Sequence, residues 1–270
     1  MLRAAFHVTL SVDEAALDFL FAERGGSRAA VKIACVGDSI TFGSHSTGGS
    51  HTYPGQLQTL LDTAHGLGKF SVTNLGAPGA TMLKAADSPY WDRPQFKALS
   101  KGKWDIVVIM LGTNDAKDQG SWGPDNWPHD CGGAQNTSLE ECSFARDYKA
   151  MIDHVQTLGT TAAGPKVFVQ VPPPLMQRYS IGANQTVINS VLPKLIPMIA
   201  NENSVLGPID VFSGMGGVSD WAIKFPASCR LMSPWGPCKW YCNTQSCDQC
   251  HPNNLGYAHL ATVVKAGLSL

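Results

Sequence analysis

Short β-branched apolar runs alternate along the chain with longer segments whose apolar residues recur every three or four positions. That alternation predicts a parallel sheet with helices on both faces. Val31 to Val36 reads as the first strand, ended by Gly37. Tyr53 to His65 follows with Leu57, Leu60, Leu61 and Ala64 at helical spacing, so it should form the first covering helix. Phe70 to Asn74 is the second strand, and Asp105 to Leu111 is almost continuously apolar, as a central strand buried on both faces must be.

The pattern continues with a helix over Phe144 to Leu158 and a strand over Lys166 to Val171, stopped by Pro172-Pro173-Pro174. A helix is predicted over Asn184 to Asn203, kinked or broken by Pro193 and Pro197, and a last strand over Val205 to Phe212. From Ser213 to Cys250 the composition turns to Gly, Ser, Pro, Trp and Cys, a long loop region before a final helix from about Asn254 to Leu268. Five βα units therefore account for most of the 270 residues. The reading is a 1–30 extension and a single 31–270 domain carrying insertions near 118–142 and 213–250.

Charge and composition narrow the partners. With 20 Lys+Arg against 21 Asp+Glu the net charge is −1, and no basic stripe marks a surface for nucleic acid or anionic membrane. No apolar run approaches the roughly 18 to 20 residues that span a bilayer. The start does not read as a signal peptide, because Asp13, Glu14, Asp18, Glu23 and Arg24 interrupt Leu10 to Ala22. Eight cysteines, most in loop-like sequence, nevertheless point to an oxidising, secretory route, as do the acceptor sequons at Asn136 and Asn184.

Cys35 lies inside the first strand and should be a buried free thiol, which leaves at least one further cysteine unpaired if all bonds are intrachain. Cys131 and Cys142 bracket one insertion and make the favoured disulfide. In the second, Cys238, Cys242, Cys247 and Cys250 admit a zinc reading, but the spacing lacks paired C-x2-C units. Bridges that staple the loop are preferred.

Four loops carry residues suited to acyl transfer. The first strand delivers Gly37-Asp38-Ser39-Ile40 at its carboxyl end, where ligands bind in doubly wound sheets. Taken alone, Asp38 and Ser39 read as an ordinary helix cap. The second strand leads into Ala77-Pro78-Gly79-Ala80-Thr81, where Gly79 serves either a turn or a close ligand approach. The third ends in Gly112-Thr113-Asn114-Asp115. Near the C-terminus Asp248 precedes His251 by three residues, a spacing that puts a carboxylate on one ring nitrogen and leaves the other for a hydroxyl.

Together, in this order, these four blocks resemble the SGNH, or GDSL-type, hydrolases, with Ile40 where the family name has Leu. The resemblance covers 31–268 and implies a three-layer α/β/α, flavodoxin-like sandwich with strand order 2-1-3-4-5. It further implies Ser39 as nucleophile, His251 oriented by Asp248 as its base, and an oxyanion hole of the Ser39 and Gly79 N–H groups with the Asn114 amide. No metal or organic cofactor is implied. Thr81-Met82-Leu83 through Tyr90-Trp91, Val108 to Lys117 and Val171 to Pro174 resemble the branch that holds carbohydrate O-acetylesterases. The implied substrate is a small-molecule or carbohydrate ester, probed by Asp38, Tyr90, Trp91 and Trp122 as candidate contacts, with packing as the alternative role for the aromatics. A lysophospholipase or thioesterase of the same family, or a non-catalytic carbohydrate-binding protein, is the competing reading. Oligomeric state is not legible. The remaining histidines, His45, His51, His129, His154 and His259, read as surface or packing residues.

Overall fold

The computed structural model describes residues 29–118, 125–131, 139–177, 180–218, 229, 236–242 and 247–270. The N-terminal 28 residues, Trp122 and the Asn136 sequon lie outside them. Five parallel strands form one sheet in the order 2-1-3-4-5: β1 (Val31–Gly37), β2 (Phe70–Gly76), β3 (Ile106–Met110), β4 (Lys166–Val171) and β5 (Leu206–Asp210). The sheet and its order match the flavodoxin-like expectation. Sequence and position explain each other here. β3 is buried at every residue, whereas the edge strands are partly exposed, β2 at Ser71 and Asn74 and β5 at Leu206, Gly207 and Asp210.

Among the described residues the α-helices are α1 (Ser39–Phe42), α2 (Tyr53–His65), α3 (Pro94–Lys101), α4 (Ser143–Gln156), α5 (Leu192–Glu202), α6 (Val211–Gly214) and α7 (Asn254–Leu268). α2 packs on α7 and α4 on α5, the two outer layers that right-handed crossovers build. α4 buries Phe144, Tyr148, Met151, Ile152 and Val155, the stripe its spacing predicted. α3 was not expected: it is only eight residues long, and only Leu99 of it is buried.

Two boundaries differ from expectation. The Asn184 to Asn203 segment is divided: a π turn, Val187–Val191, precedes α5, and Pro193 sits in the first turn of that helix, where a missing N–H is harmless. β5 ends at Asp210, because the Asp210 carboxylate caps the Ser213 N–H (2.9 Å) and turns Val211–Gly214 into α6.

Three disulfides are present among the described residues: Cys131–Cys142, as expected, Cys229–Cys238 and Cys242–Cys247. Cys35 is free and buried, and burial pushes its thiol up to about 12. The other free cysteine is Cys250, so the bridge beside the Asp248 to His251 segment runs through Cys247 alone.

Candidate active site

Strand order reverses between β1 and β3, and the carboxyl ends of β1, β2 and β3 come together there: Gly37 pairs with Gly76 on one side and Met110 on the other. Ser39 opens α1, directly off β1. Asp38 caps that helix, its Oδ1 accepting the Ile40 N–H at 2.9 Å. The turn fits only because Gly76 has no side chain: a Cβ there would lie 2.0 Å from the Phe42 amide nitrogen. α1 thus lies directly against the end of β2, which holds Ser39 at the edge of the cleft with 8% of its surface exposed.

The β2 exit loop turns through Gly79 at φ +78°, a left-handed conformation that glycine adopts without penalty. Two adjacent residues after β3 hold this loop. Asn114 donates from Nδ2 to the Ala80 carbonyl (3.1 Å) and, over a longer 3.3 Å, to Asp38 Oδ2. Asp115, fully buried, accepts the Leu83 N–H (2.8 Å) and the Met82 N–H (3.0 Å) with its two oxygens. Burial pushes Asp115 up to about 7 against those bonds, and pushes Asp38 up to about 6, opposed by its bond from Ile40 and the nearby His251.

The Asp248 to His251 loop comes in from the C-terminal side. Asp248 Oδ1 accepts two backbone N–H groups, from Cys250 (3.0 Å) and His251 (2.7 Å), which folds the segment into a tight turn. Its Oδ2 meets His251 Nδ1 in a short hydrogen bond. His251 Nε2 lies 2.8 Å from Ser39 Oγ. Burial works to raise the Asp248 carboxyl, but the His251 bond and charge, with the backbone donors, outweigh it and hold the group below the usual carboxylate range. Between them Gln249 adopts φ +65° and accepts the Met176 N–H at 2.8 Å, which ties the loop to the exit of β4. Asn253, the cap of α7, donates to the Lys239 and Cys242 carbonyls at 2.9 and 3.1 Å, stitching the Cys-rich segment to the helix.

Ser39, His251, Asp248, Gly79 and Asn114 therefore converge on one end of the sheet. Of the candidate substrate contacts, Trp122 lies outside the described residues, and Asp38, Tyr90 and Trp91 are each engaged within the protein. Asp38 is 1% exposed with both oxygens engaged, so it braces the nucleophile turn and offers nothing to a ligand. Tyr90 is fully buried and donates its hydroxyl to the Leu75 carbonyl (2.7 Å), leaving no ring face for a sugar. Trp91 donates to the Met82 carbonyl (2.8 Å) and packs on Phe96 with Lys84 over its ring, so its bonding is that of a loop anchor. Nor is Asn184 a free sequon. Its side chain bonds Asp118 (2.9 Å) and caps the Thr186 N–H (2.9 Å).

Two functional neighbours were not read from the sequence. Asp115 was signalled only by its place beside Asn114. His45 was set aside as a loop residue, yet its ring stacks on His251 with centroids 5.1 Å apart and planes 28° from parallel, and its Nε2 lies 3.5 Å from Asp248 Oδ2.

A GDSL-like lipase/acylhydrolase family model matches residues 35–259. The chain belongs to that family, a class of carboxylic ester hydrolases. Over 101 residues it is 38% identical to an acetylxylan esterase of Xylanibacter ruminicola, a stretch that covers 37% of this chain and 19% of that relative's length. The fold is shared with a lipase/acylhydrolase of Enterococcus faecalis (20% identity, TM-score 0.57, covering 88% of this chain and 95% of that one). It is shared too with a carbohydrate acetylesterase family member of Sinorhizobium meliloti (20% identity, TM-score 0.55, 89% and 100%).

Proposed function

We propose that the chain is a serine esterase that removes small acyl groups, acetyl foremost, from the hydroxyls of carbohydrates. The observation that carries this reading is the relay Ser39 Oγ, His251 Nε2 at 2.8 Å, and His251 Nδ1 on Asp248. Ser39 Oγ attacks the ester carbonyl while His251 Nε2 takes its proton. The tetrahedral intermediate collapses, the C–O bond to the sugar breaks, and His251 returns the proton to the leaving oxygen. Water then repeats the sequence on the acyl-enzyme. Asp248 keeps its charge throughout and supports the imidazolium.

The oxyanion is assigned to the Ser39 and Gly79 N–H groups and the Asn114 amide. Asn114 Nδ2 is already donating twice, so the developing oxyanion replaces the longer of the two bonds, that to Asp38. The carbohydrate part of the reading is supported by the acetylxylan esterase resemblance, and the three disulfides support a secretory compartment.

The test is hydrolysis of p-nitrophenyl esters from acetate to octanoate, followed by acetate release from acetylated xylan, with Ser39→Ala in parallel. Activity should peak at acetate and fall by at least about 10³-fold in the variant. A maximum at long acyl chains moves the assignment to lipid or thioester substrates. Unchanged turnover in Ser39→Ala removes the serine mechanism altogether.

A further inference from the structure

We propose that His45 is a positioning residue for the acid–base pair: its stacked ring clamps the His251 ring in line with Ser39. The inference rests on the serine-esterase reading and extends it to a side chain that the relay itself does not include.

Three observations carry it. The His45 and His251 rings lie face to face, 5.1 Å apart and 28° from parallel. The same ring turns its Nε2 toward Asp248 Oδ2 at 3.5 Å, so one carboxylate oxygen faces both histidines. His45 also holds φ +68°, a left-handed conformation uncommon for a non-glycine residue, and its loop is held there from outside. What holds it is α7 and its cap. Tyr257 donates its hydroxyl to the Ser44 carbonyl (2.7 Å), the Thr47 N–H donates to Asn254 Oδ1 (3.0 Å), and Asn254 Nδ2 donates to Thr47 Oγ1 (2.7 Å). The loop bearing His45 is therefore fastened on both sides to the helix that follows His251.

The physical consequence concerns rotation. A histidine that must accept a proton from one group and return it to another works only while its ring plane contains both Ser39 Oγ and Asp248. Hydrogen bonds at its two nitrogens define that plane, and a ring stacked on its face resists tilting out of it.

A metal reading of the same cluster is less consistent with the geometry. One nitrogen or oxygen from each of His45, Asp248 and His251 falls within 4.8 Å of the others. The lone pairs of two nearly parallel rings, however, lie in planes that do not converge on one ion, and His251 Nδ1 is already committed to Asp248.

The experiment compares His45→Ala and His45→Phe with wild type on p-nitrophenyl acetate, alongside Ser39→Ala, and records the imidazole proton spectrum of His251 by NMR. His45→Ala should lower kcat about tenfold with KM nearly unchanged, since the defect is misalignment and not substrate binding. His45→Phe, which restores a stacked ring, should recover most of that loss. The Nδ1 proton resonance of His251 should broaden in His45→Ala and sharpen again in His45→Phe. A kcat within twofold of wild type with an unchanged His251 resonance overturns the proposal, as does a loss carried wholly by KM, which would make His45 a substrate contact. Because the NMR readout needs no turnover, it separates failure of the clamp from failure of the serine mechanism, which Ser39→Ala reports. Thermal melts confirm that each variant is folded.

Discussion

The nucleophile and its acid–base partner are held in the same cleft by different means. Ser39 stands on a turn fixed by the sheet: Gly76 lets α1 lie against β2, Asp38 caps the helix, and the Asn114 and Asp115 side chains lock the neighbouring loop. Asp248 and His251 stand on a segment with no strand beneath it among the described residues. What holds them is a carboxylate folded back on its own backbone, a few hydrogen bonds to Met176, Lys239 and Cys242 through Gln249 and Asn253, and the Cys242–Cys247 bridge. A site half built on buried sheet and half on stitched loop should fail in two distinguishable ways. Damage on the sheet side appears in stability, and damage on the loop side appears in kcat first.

The sharpest break on the loop side is Asp248→Asn. The amide oxygen can still accept the Cys250 and His251 N–H groups, so the turn survives, but its NH2 faces Nδ1 and forces the wrong tautomer on His251. In a Ser-His-Asp relay that error is worth about 10⁴ in kcat. The expectation is a loss of that order on p-nitrophenyl acetate with a melting temperature within a few degrees of wild type. Comparable unfolding would show that the loop depends on the charge itself.

A milder break removes the bridge. Replacing Cys242 and Cys247 together by Ser releases the strap next to Asp248 but leaves the sheet untouched. Activity should fall severalfold while the main unfolding transition stays close to its place, because closing so short a loop contributes about 2 kcal/mol at most beyond strain. Mild reduction of the wild-type protein should do the same. Equal activity after all thiols are shown free would remove the strap from the account.

The same division explains what could be read from the chain. The sheet side was legible: continuous apolar runs give β1, β3 and β4, the glycines mark the turns, and the strand order brings Ser39 and Asn114 to one switch point. Asp248 and His251 were legible as a spaced pair because local chemistry, not distant packing, makes their turn. His45 was not, since its stacking partner lies some 200 positions away and nothing in its own Ser/Gly-rich loop signals it. Tyr90 and Trp91 were offered as sugar contacts because an aromatic in a loop looks the same from sequence whether it faces water or the core. Only tertiary packing tells them apart. α3 escaped because it is only eight residues long, about two turns, and buries a single leucine.

The smallest of the expected effects tests the sheet side through pH. Asp115 is buried with both oxygens on backbone N–H groups of the loop that carries Gly79, and burial raises it to about 7, with Asp38 nearby adding in the same direction. A carboxyl whose folded value lies above its unfolded one stabilises the fold fully below the unfolded value, near 3.9, and loses that contribution as pH rises through about 7. Asp38, raised to about 6, acts with the same sign over a lower window. Stability to urea should therefore decline between about pH 4 and pH 7, opposing the gain from Asp248, whose lowered carboxyl strengthens the fold as pH rises from acid. Asp115→Asn should flatten the decline above pH 5. Near pH 4 it should also subtract about 1 to 3 kcal/mol, because the amide NH2 confronts the Met82 or Leu83 N–H and leaves a buried donor without an acceptor, and that deficit should shrink as wild type loses stability toward pH 7. A variant as stable as wild type, with its pH slope intact, would mean that the loop holding Gly79 is carried by Asn114 alone.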